Sequence, residues 1–379
     1  MLFYLCFGLS FLLFFTAVQT EADEPSRVLA AKLFFFAVFL FTALRSPEVG
    51  NDTIQFYNAY SRIREIPWTE RGSERYEAGF FALCKLLGMI SPHPQTLLFF
   101  TAWMISFSVS RFLRLYSRNV SLGCLLFLFL NLWAVYMNLM RQVLAMCIIL
   151  FFLESLLKGR KMRFFFGVFL ASLFHRSAWI CLIMLVMYGR RFTYMTAVFF
   201  VPFTLLCFWQ YDKIFILATL LLNRYSGYIS SERFGGSNYF GMLLNVCVCL
   251  AILLYGIFLR RRDAKSSRQV QEALPADFQL YMLLCCLFCY ILGTRMYILS
   301  RVSPYFTIFY LPWLGMEKPL VQMEEMPLRS LDGKISGKAL KRCYPLGPFA
   351  VVFISMIYFC VIHFFRPEWQ GVVPYRFFW

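Results

Sequence analysis

Residues 120–157 read VSLGCLLFLFLNLWAVYMNLMRQVLAMCIILFFLESLL, a nearly uninterrupted apolar run with Met140-Arg141-Gln142-Val143 at its middle. A helix needs about 20 apolar residues to cross a bilayer, so the run holds two crossings, expected at 120–137 and 140–157. Buried in hydrocarbon a guanidinium is expensive, and it is placed there only where it faces a polar cavity. The run therefore predicts a membrane protein with an arginine-lined cavity.

Outward from this run the composition agrees. The 379 residues are 60% hydrophobic, 20% aromatic and only 15% charged, against about 25% charged in a soluble domain. That excludes a soluble globular enzyme. The net charge of +17 is expected to sit on loops at the anionic cytoplasmic leaflet, with nucleic acid excluded as a partner. The 13 cysteines are scattered through apolar runs as small hydrophobes, so neither a disulfide framework nor a metal site is expected. Cys286 and Cys289 form an isolated CxxC, and His93, His175 and His363 lie far apart.

Further apolar stretches lie near 2–19, 28–44, 96–116, 163–175, 177–189, 192–210, 239–259, 278–294, 301–316 and 347–365. The expected fold is an all-α polytopic integral membrane protein of about twelve transmembrane helices. Residues 1–379 form a single membrane domain, the first span is retained, and 76–91 is a re-entrant or interfacial helix because it is short and contains Lys85. Basic clusters at Arg111/Arg114/Arg118, 158–163, Arg190/Arg191, 260–268 and 317–346 fall on one side, the cytoplasmic one. Both termini, the loops 45–76 and 211–238, and the active face are then extracytoplasmic. The 45–76 loop carries arginines against this rule, offset by Glu48, Asp52, Glu65, Glu70 and Glu74.

The basic residues left on the outer side are almost all arginine, with Lys85 and Lys213 the exceptions. Arginine's planar fork grips phosphate with two prongs where lysine is a point charge, so the set reads as an anion site. Arginines at span ends also snorkel to headgroups, and part of the set is of that kind. Two more features stand out. Phe174-His175-Arg176-Ser177 cuts an apolar stretch into two helices too short for full spans. Arg45-Ser46 precedes Val49-Gly50-Asn51-Asp52-Thr53 and Tyr57, where Gly50 permits a tight turn and Asp52-Thr53 can cap the following helix.

These segments, in order, are Leu44-Arg45-Ser46, Val49 to Thr53 with Tyr57, Glu77-Ala78-Gly79-Phe80, Arg141-Gln142 with Leu144-Ala145, Phe174 to Ala178, and Arg301 before Tyr305-Phe306. In order and spacing they resemble the EpsG family of bacterial exopolysaccharide and O-antigen (Wzy-like) polymerases, a resemblance running from about residue 2 to Pro374-Tyr375. It implies a glycosyltransferase of the bacterial cytoplasmic (inner) membrane that polymerises polyprenyl-diphosphate-linked oligosaccharide, such as undecaprenyl diphosphate repeat units, on the outer face. Its partners would be that lipid, the bilayer, and the chain-length regulator and flippase of the same pathway. No cofactor is expected, since an arginine clamp would neutralise the leaving diphosphate.

On this reading Arg45, Arg141 and Arg301 contact the diphosphate, with Arg176 and Arg295 as second choices and Gln142 orienting one of them. Asp52, Glu77 and His175 compete as the base that takes the acceptor hydroxyl proton. Tyr57 and Tyr225 are sugar-stacking candidates. A lipid-linked oligosaccharide flippase is the main alternative, although no repeated halves are detected. An integral-membrane acyltransferase using His175 is the other.

Overall fold

The computed structural model describes residues 8, 24–73, 75–117, 119–213, 239–264, 274–295, 297–314, 323–329, 335–342 and 346–379. The expected span at 2–19 and most of the 211–238 loop, Tyr225 included, lie outside the described residues apart from Gly8 and residues 211–213.

The chain is helical. In order come α1 (Glu24–Ala43), α2 (Thr53–Glu65), a 3-10 turn (Trp68–Ser73), α3 (Ala78–Ile90), α4 (Gln95–Tyr116), α5 (Val120–Phe129), α6 (Leu132–Asn138), α7 (Met140–Leu157) and α8 (Lys161–Ser172). A second 3-10 turn (Arg176–Leu182) runs into α9 (Ile183–Met187), followed by α10 (Tyr194–Trp209), α11 (Tyr239–Ala264) and α12 (Ala276–Gly293). Short pieces α13 (Tyr297–Ser300), α14 (Pro304–Thr307) and α15 (Tyr310–Leu314) precede α16 (Leu346–Phe365), and a last 3-10 turn spans Pro367–Trp369. Among the described residues one antiparallel hairpin, β1 (Met323–Arg329) with β2 (Ile335–Arg342), lies inside the basic 317–346 segment, and an isolated bridge pairs Arg45 with Phe377.

Among the described residues four helices are long and apolar enough to cross a membrane, or five if the bent pair α5–α6 counts as one span. The expected count of about twelve exceeds this: one stretch lies almost wholly outside the described residues, others form shorter apolar helices, and several are broken. Between α5 and α6 the axis bends by 60°. There Asn131 takes a left-handed backbone (φ 62°), which asparagine tolerates better than most residues. His363 Nε2 of α16 meets its Oδ1 at 3.0 Å. The break expected at His175 is present, between α8 and the 3-10 turn. The stretch 301–316 holds only the pieces α14 and α15 among its described residues. Helix α3 has 13 residues, about 20 Å of rise, which is short of a full crossing. Lys85, on α3, donates to Arg64 O and Ile66 O at 2.8 and 2.7 Å, capping the carbonyl end of α2.

The described residues group into two compact units. In the first, α1 packs along α4, and α16 along α5. The aromatic side chains Phe34, Phe35, Phe127 and Tyr136 fill its interior, with edge-to-face rings such as Phe127 on Tyr136 at 5.5 Å. Residues 367–379 fold back onto the end of α1 and the segment after it in the same unit, where Tyr375 Oη donates to Phe41 O and Phe378 N to Leu44 O. In the second, α11 packs along α12, and α8 along the 3-10 turn that follows it. Gly167 of α8 lets Phe152 of α7 approach so closely that a Cβ would lie 2.4 Å from its ring. Arg260 joins Asp277 at 2.7 Å and donates to Phe192 O at 2.8 Å, so this member of a basic cluster ties three segments together.

Candidate functional site

In the first unit the loop between α1 and α2 carries the Arg45 and Asp52 motifs. Gly50 has φ +95°, the left-handed conformation a tight turn requires, and a Cβ there would lie 2.6 Å from Asn138 Oδ1. Thr53 Oγ1 donates back to Val49 O at 2.7 Å. The capping role expected of Asp52 is not adopted: Asp52 stands at the N-cap of α2, but its carboxylate makes no capping hydrogen bond. Its own backbone is near-helical there, unlike the extended conformation from which an N-cap side chain usually accepts a first-turn amide.

Arg45 is 1% exposed. Its Nη2 donates to Met137 O at 2.9 Å, in the last turn of α6, where the helix dipole favours a cation. Gln95 Nε2 holds the preceding backbone through Ala43 O (2.6 Å) and Arg45 O (3.0 Å).

Arg141 stands at the start of α7, whose bounds coincide with the expected stretch 140–157. The helical path stops at Leu139 (φ −91°, ψ 45°), and Arg141 falls in the first turn of the 18-residue helix α7. The end of a helix presents backbone N–H groups and a partial positive charge, so Arg141 adds its charge to a terminus that already favours anions. It is half-buried, with Cζ 5.7 Å from the centre of the Phe56 ring. Gln142, beside it, is buried.

Tyr57, one residue beyond Phe56 on α2, meets His93 edge-on with ring centres 6.2 Å apart. Burial raises the Tyr57 phenol above its ordinary value, so it remains a neutral hydroxyl. His93 Nδ1 accepts from Gln95 N at 3.2 Å, which fixes the neutral ring as the Nε2–H tautomer, a donor. His93 was not expected at the site. The signal available in the sequence was a histidine held between two prolines, Pro92-His93-Pro94.

The second unit assembles the remaining motifs. Gly79 N donates to Leu173 O at 2.7 Å, and a Cβ on Gly79 would lie 2.8 Å from that oxygen and 3.0 Å from the Phe174 ring. The Glu77-Gly79 segment is thereby docked on the turn that carries His175. Ser177 Oγ meets Tyr305 Oη at 3.2 Å, which joins the His175-Arg176-Ser177 turn to the segment following Arg301. Arg176 is exposed, and His175, Glu77 and Arg301 are half-buried. Arg295 is engaged elsewhere in the unit. Its guanidinium lies over Phe208 and Tyr211 (5.2 and 6.0 Å) and 3.8 Å from Asp212.

The structure thus gathers Arg45, Asp52, Tyr57, Arg141 and Gln142 in one unit and Glu77, His175, Arg176 and Arg301 in the other. Among the described residues no three His, Cys, Asp or Glu side chains are grouped to hold a metal ion.

No curated relative and no solved structure matches the chain. The model of the EpsG family matches residues 28–316, which includes every motif above except the tail around Pro374-Tyr375. With most of its length matched, this membrane protein belongs to the EpsG family of exopolysaccharide and O-antigen polymerase-like proteins.

Proposed function

We propose that the chain is a membrane glycosyltransferase that polymerises polyprenyl-diphosphate-linked oligosaccharide repeat units on the outer face of the cytoplasmic membrane. Family membership supports a general role in polysaccharide polymerisation. The observation that carries the finer reading is Arg141 in the first turn of α7, in the same unit as buried Arg45 and the Asp52 turn. A helix N-terminus with a forked cation suits a diphosphate, whose oxygens accept both backbone and guanidinium hydrogens.

In the reaction an acceptor-sugar hydroxyl oxygen attacks C1 of the donor sugar while the bond from C1 to the phosphate oxygen breaks. The diphosphate leaves on its polyprenyl chain, and the hydroxyl proton passes to a base. Arg141 stabilises the charge that accumulates on the leaving diphosphate, and buried Arg45 contributes its field. Asp52 is the first choice of base because it shares a unit with both arginines, with His175 and Glu77 as alternatives. Gln142 orients Arg141, and Tyr57 and His93 pack on sugar, while Arg301 and Arg176 are phosphate-binding candidates within the second unit. The aromatic engagement of Arg295 makes it the weakest member of the set. The twelve apolar stretches are read as crossing or entering the bilayer, several as broken helices, with both termini outside.

Purified protein in vesicles given lipid-diphosphate repeat units tests this. Chain growth is the expected result. Translocation without growth would identify a flippase, and acyl transfer an acyltransferase; either would overturn the proposal.

A further inference from the structure

Residues 367–379 lie beyond the family match, yet they carry a dense set of contacts to the turn bearing Arg45 and Asp52. Asn138, the last residue of α6, is the hub. Its Oδ1 accepts from Asn51 N at 2.7 Å, while its Nδ2 donates to both Gln370 O (2.7 Å) and Gln370 Oε1 (2.8 Å). The amide's two ends are therefore spent in opposite directions, one on the turn and one on the tail. Asn51 Nδ2 returns to Glu368 O and Trp369 O at 3.3 and 3.0 Å, and Gly50 N donates to Gly371 O at 2.7 Å. Gly371 (φ +58°) leaves room for this, since a Cβ there would lie 2.4 Å from Asn51 Oδ1.

A second set of contacts holds Arg45 itself. Ser46 N donates to Arg376 O at 2.8 Å and Phe378 N to Leu44 O at 3.1 Å, a strand-like bridge pairing Arg45 with Phe377. Arg376 reaches Glu48 at 3.0 Å. Surface ion pairs of that kind contribute little, so the fixed element is the backbone bridge and the Asn138 hub.

We infer that residues 367–379 are a working part of the anion site, and that Asn138 and Gln370 are positioning residues. They hold the Arg45 and Asp52 turn against the end of α6, three residues along the chain from Arg141. The inference rests on the reading of that site as a diphosphate site. A flexible loop carrying Arg45 would have to be ordered at binding, whereas the clasp orders it beforehand. The dependence is then on affinity for a diphosphate, through Arg45, as well as on stability.

The test uses purified full-length protein in detergent with farnesyl diphosphate as the probe. Gln370→Ala, Asn138→Ala and deletion of 367–379 are each expected to weaken binding by about tenfold or more, with Gln370→Ala leaving the melting temperature nearly unchanged. Gln370→Glu keeps the Oε1 acceptor and should bind close to normally. Arg45→Lys should weaken binding in the otherwise unaltered protein and add little on top of Gln370→Ala, because coupled residues are not additive. Unchanged affinity in Gln370→Ala and the deletion, or an equal cost of Arg45→Lys in both backgrounds, overturns the inference. Should Asn138→Ala fail to fold, Gln370→Ala decides.

A second readout is independent of ligand. Val49 is buried in the turn, so a thiol at Val49→Cys in a cysteine-free background should be sealed and become reactive once 367–379 is deleted. If unaltered protein binds no diphosphate, the functional reading fails by itself. A thiol still sealed after deletion overturns the clasp.

Discussion

Replacing Arg141 with lysine separates a phosphate-gripping guanidinium from one that merely reaches the interface. The structure fixes what is lost. Lysine keeps the charge beside the first turn of α7, but it cannot present two parallel N–H groups to one phosphate. A hydrogen bond to a charged group is worth about 1.5–3 kcal/mol, so losing one prong costs about 2 kcal/mol in the transition state. At about 1.4 kcal/mol per decade, that is a fall of roughly 30-fold in turnover. The cost to the fold is smaller. Arg141 is half-buried and lies 5.7 Å from the Phe56 ring; such a contact contributes about 0.5–1 kcal/mol near a surface, and lysine retains part of it. Against a typical stability of 5–15 kcal/mol the variant stays folded. The assay is polymer formed per unit of membrane-embedded protein from lipid-linked repeat units. Near-normal synthesis would remove Arg141 from the site. Loss of the folded protein would instead make it a structural charge, with Asp52 as the first partner to test.

Three further outcomes are expected. Chain growth should continue in EDTA, because forked cations are assigned the charge that a metal would otherwise neutralise; loss on chelation with recovery on added magnesium would replace the clamp by a metal-diphosphate site. In a cysteine-free background Arg160→Cys should be shielded from an impermeant thiol reagent applied outside and Thr69→Cys should react, and the opposite pattern would invert the topology. Gly79→Ala must displace the Leu173 carbonyl or the Phe174 ring, at about 1–3 kcal/mol; an unchanged melting temperature would show that the docking of the Glu77 segment on the His175 turn is wrong.

What the sequence conveyed follows the range over which each feature is determined. The turn at Gly50 was legible because only a left-handed backbone allows it, and that preference belongs to one residue. The break at His175 was legible because a polar pair interrupts an apolar stretch too short for two full spans. The bend at Asn131 was not, since asparagine occurs within many helices. What makes this one a bend is a left-handed backbone joined to His363, 232 residues away. The start of α7 was legible as well. The apolar run 120–157 is about twice the length of one crossing, so the polar pair Arg141-Gln142 fell at the start of the second stretch, 140–157, and these are the bounds of α7.

That placement sets the energetic argument for the site. Deep within a span, an arginine requires a polar cavity simply to be tolerated, and its presence is itself evidence of function. At a helix end the placement of Arg141 is inexpensive, so position alone does not argue for a role. The case moves to what surrounds it: a second arginine 1% exposed, anchored on the last turn of α6, and an acidic turn held by Asn138. Burying a guanidinium this deeply costs several kcal/mol unless its field is used or fully compensated. Snorkelling accounts for neither the depth of Arg45 nor the framework built to fix it there, because a snorkelling side chain ends in water and needs no clasp. Arg45 and its supports, more than Arg141 by itself, therefore distinguish an anion site from an ordinary basic rim.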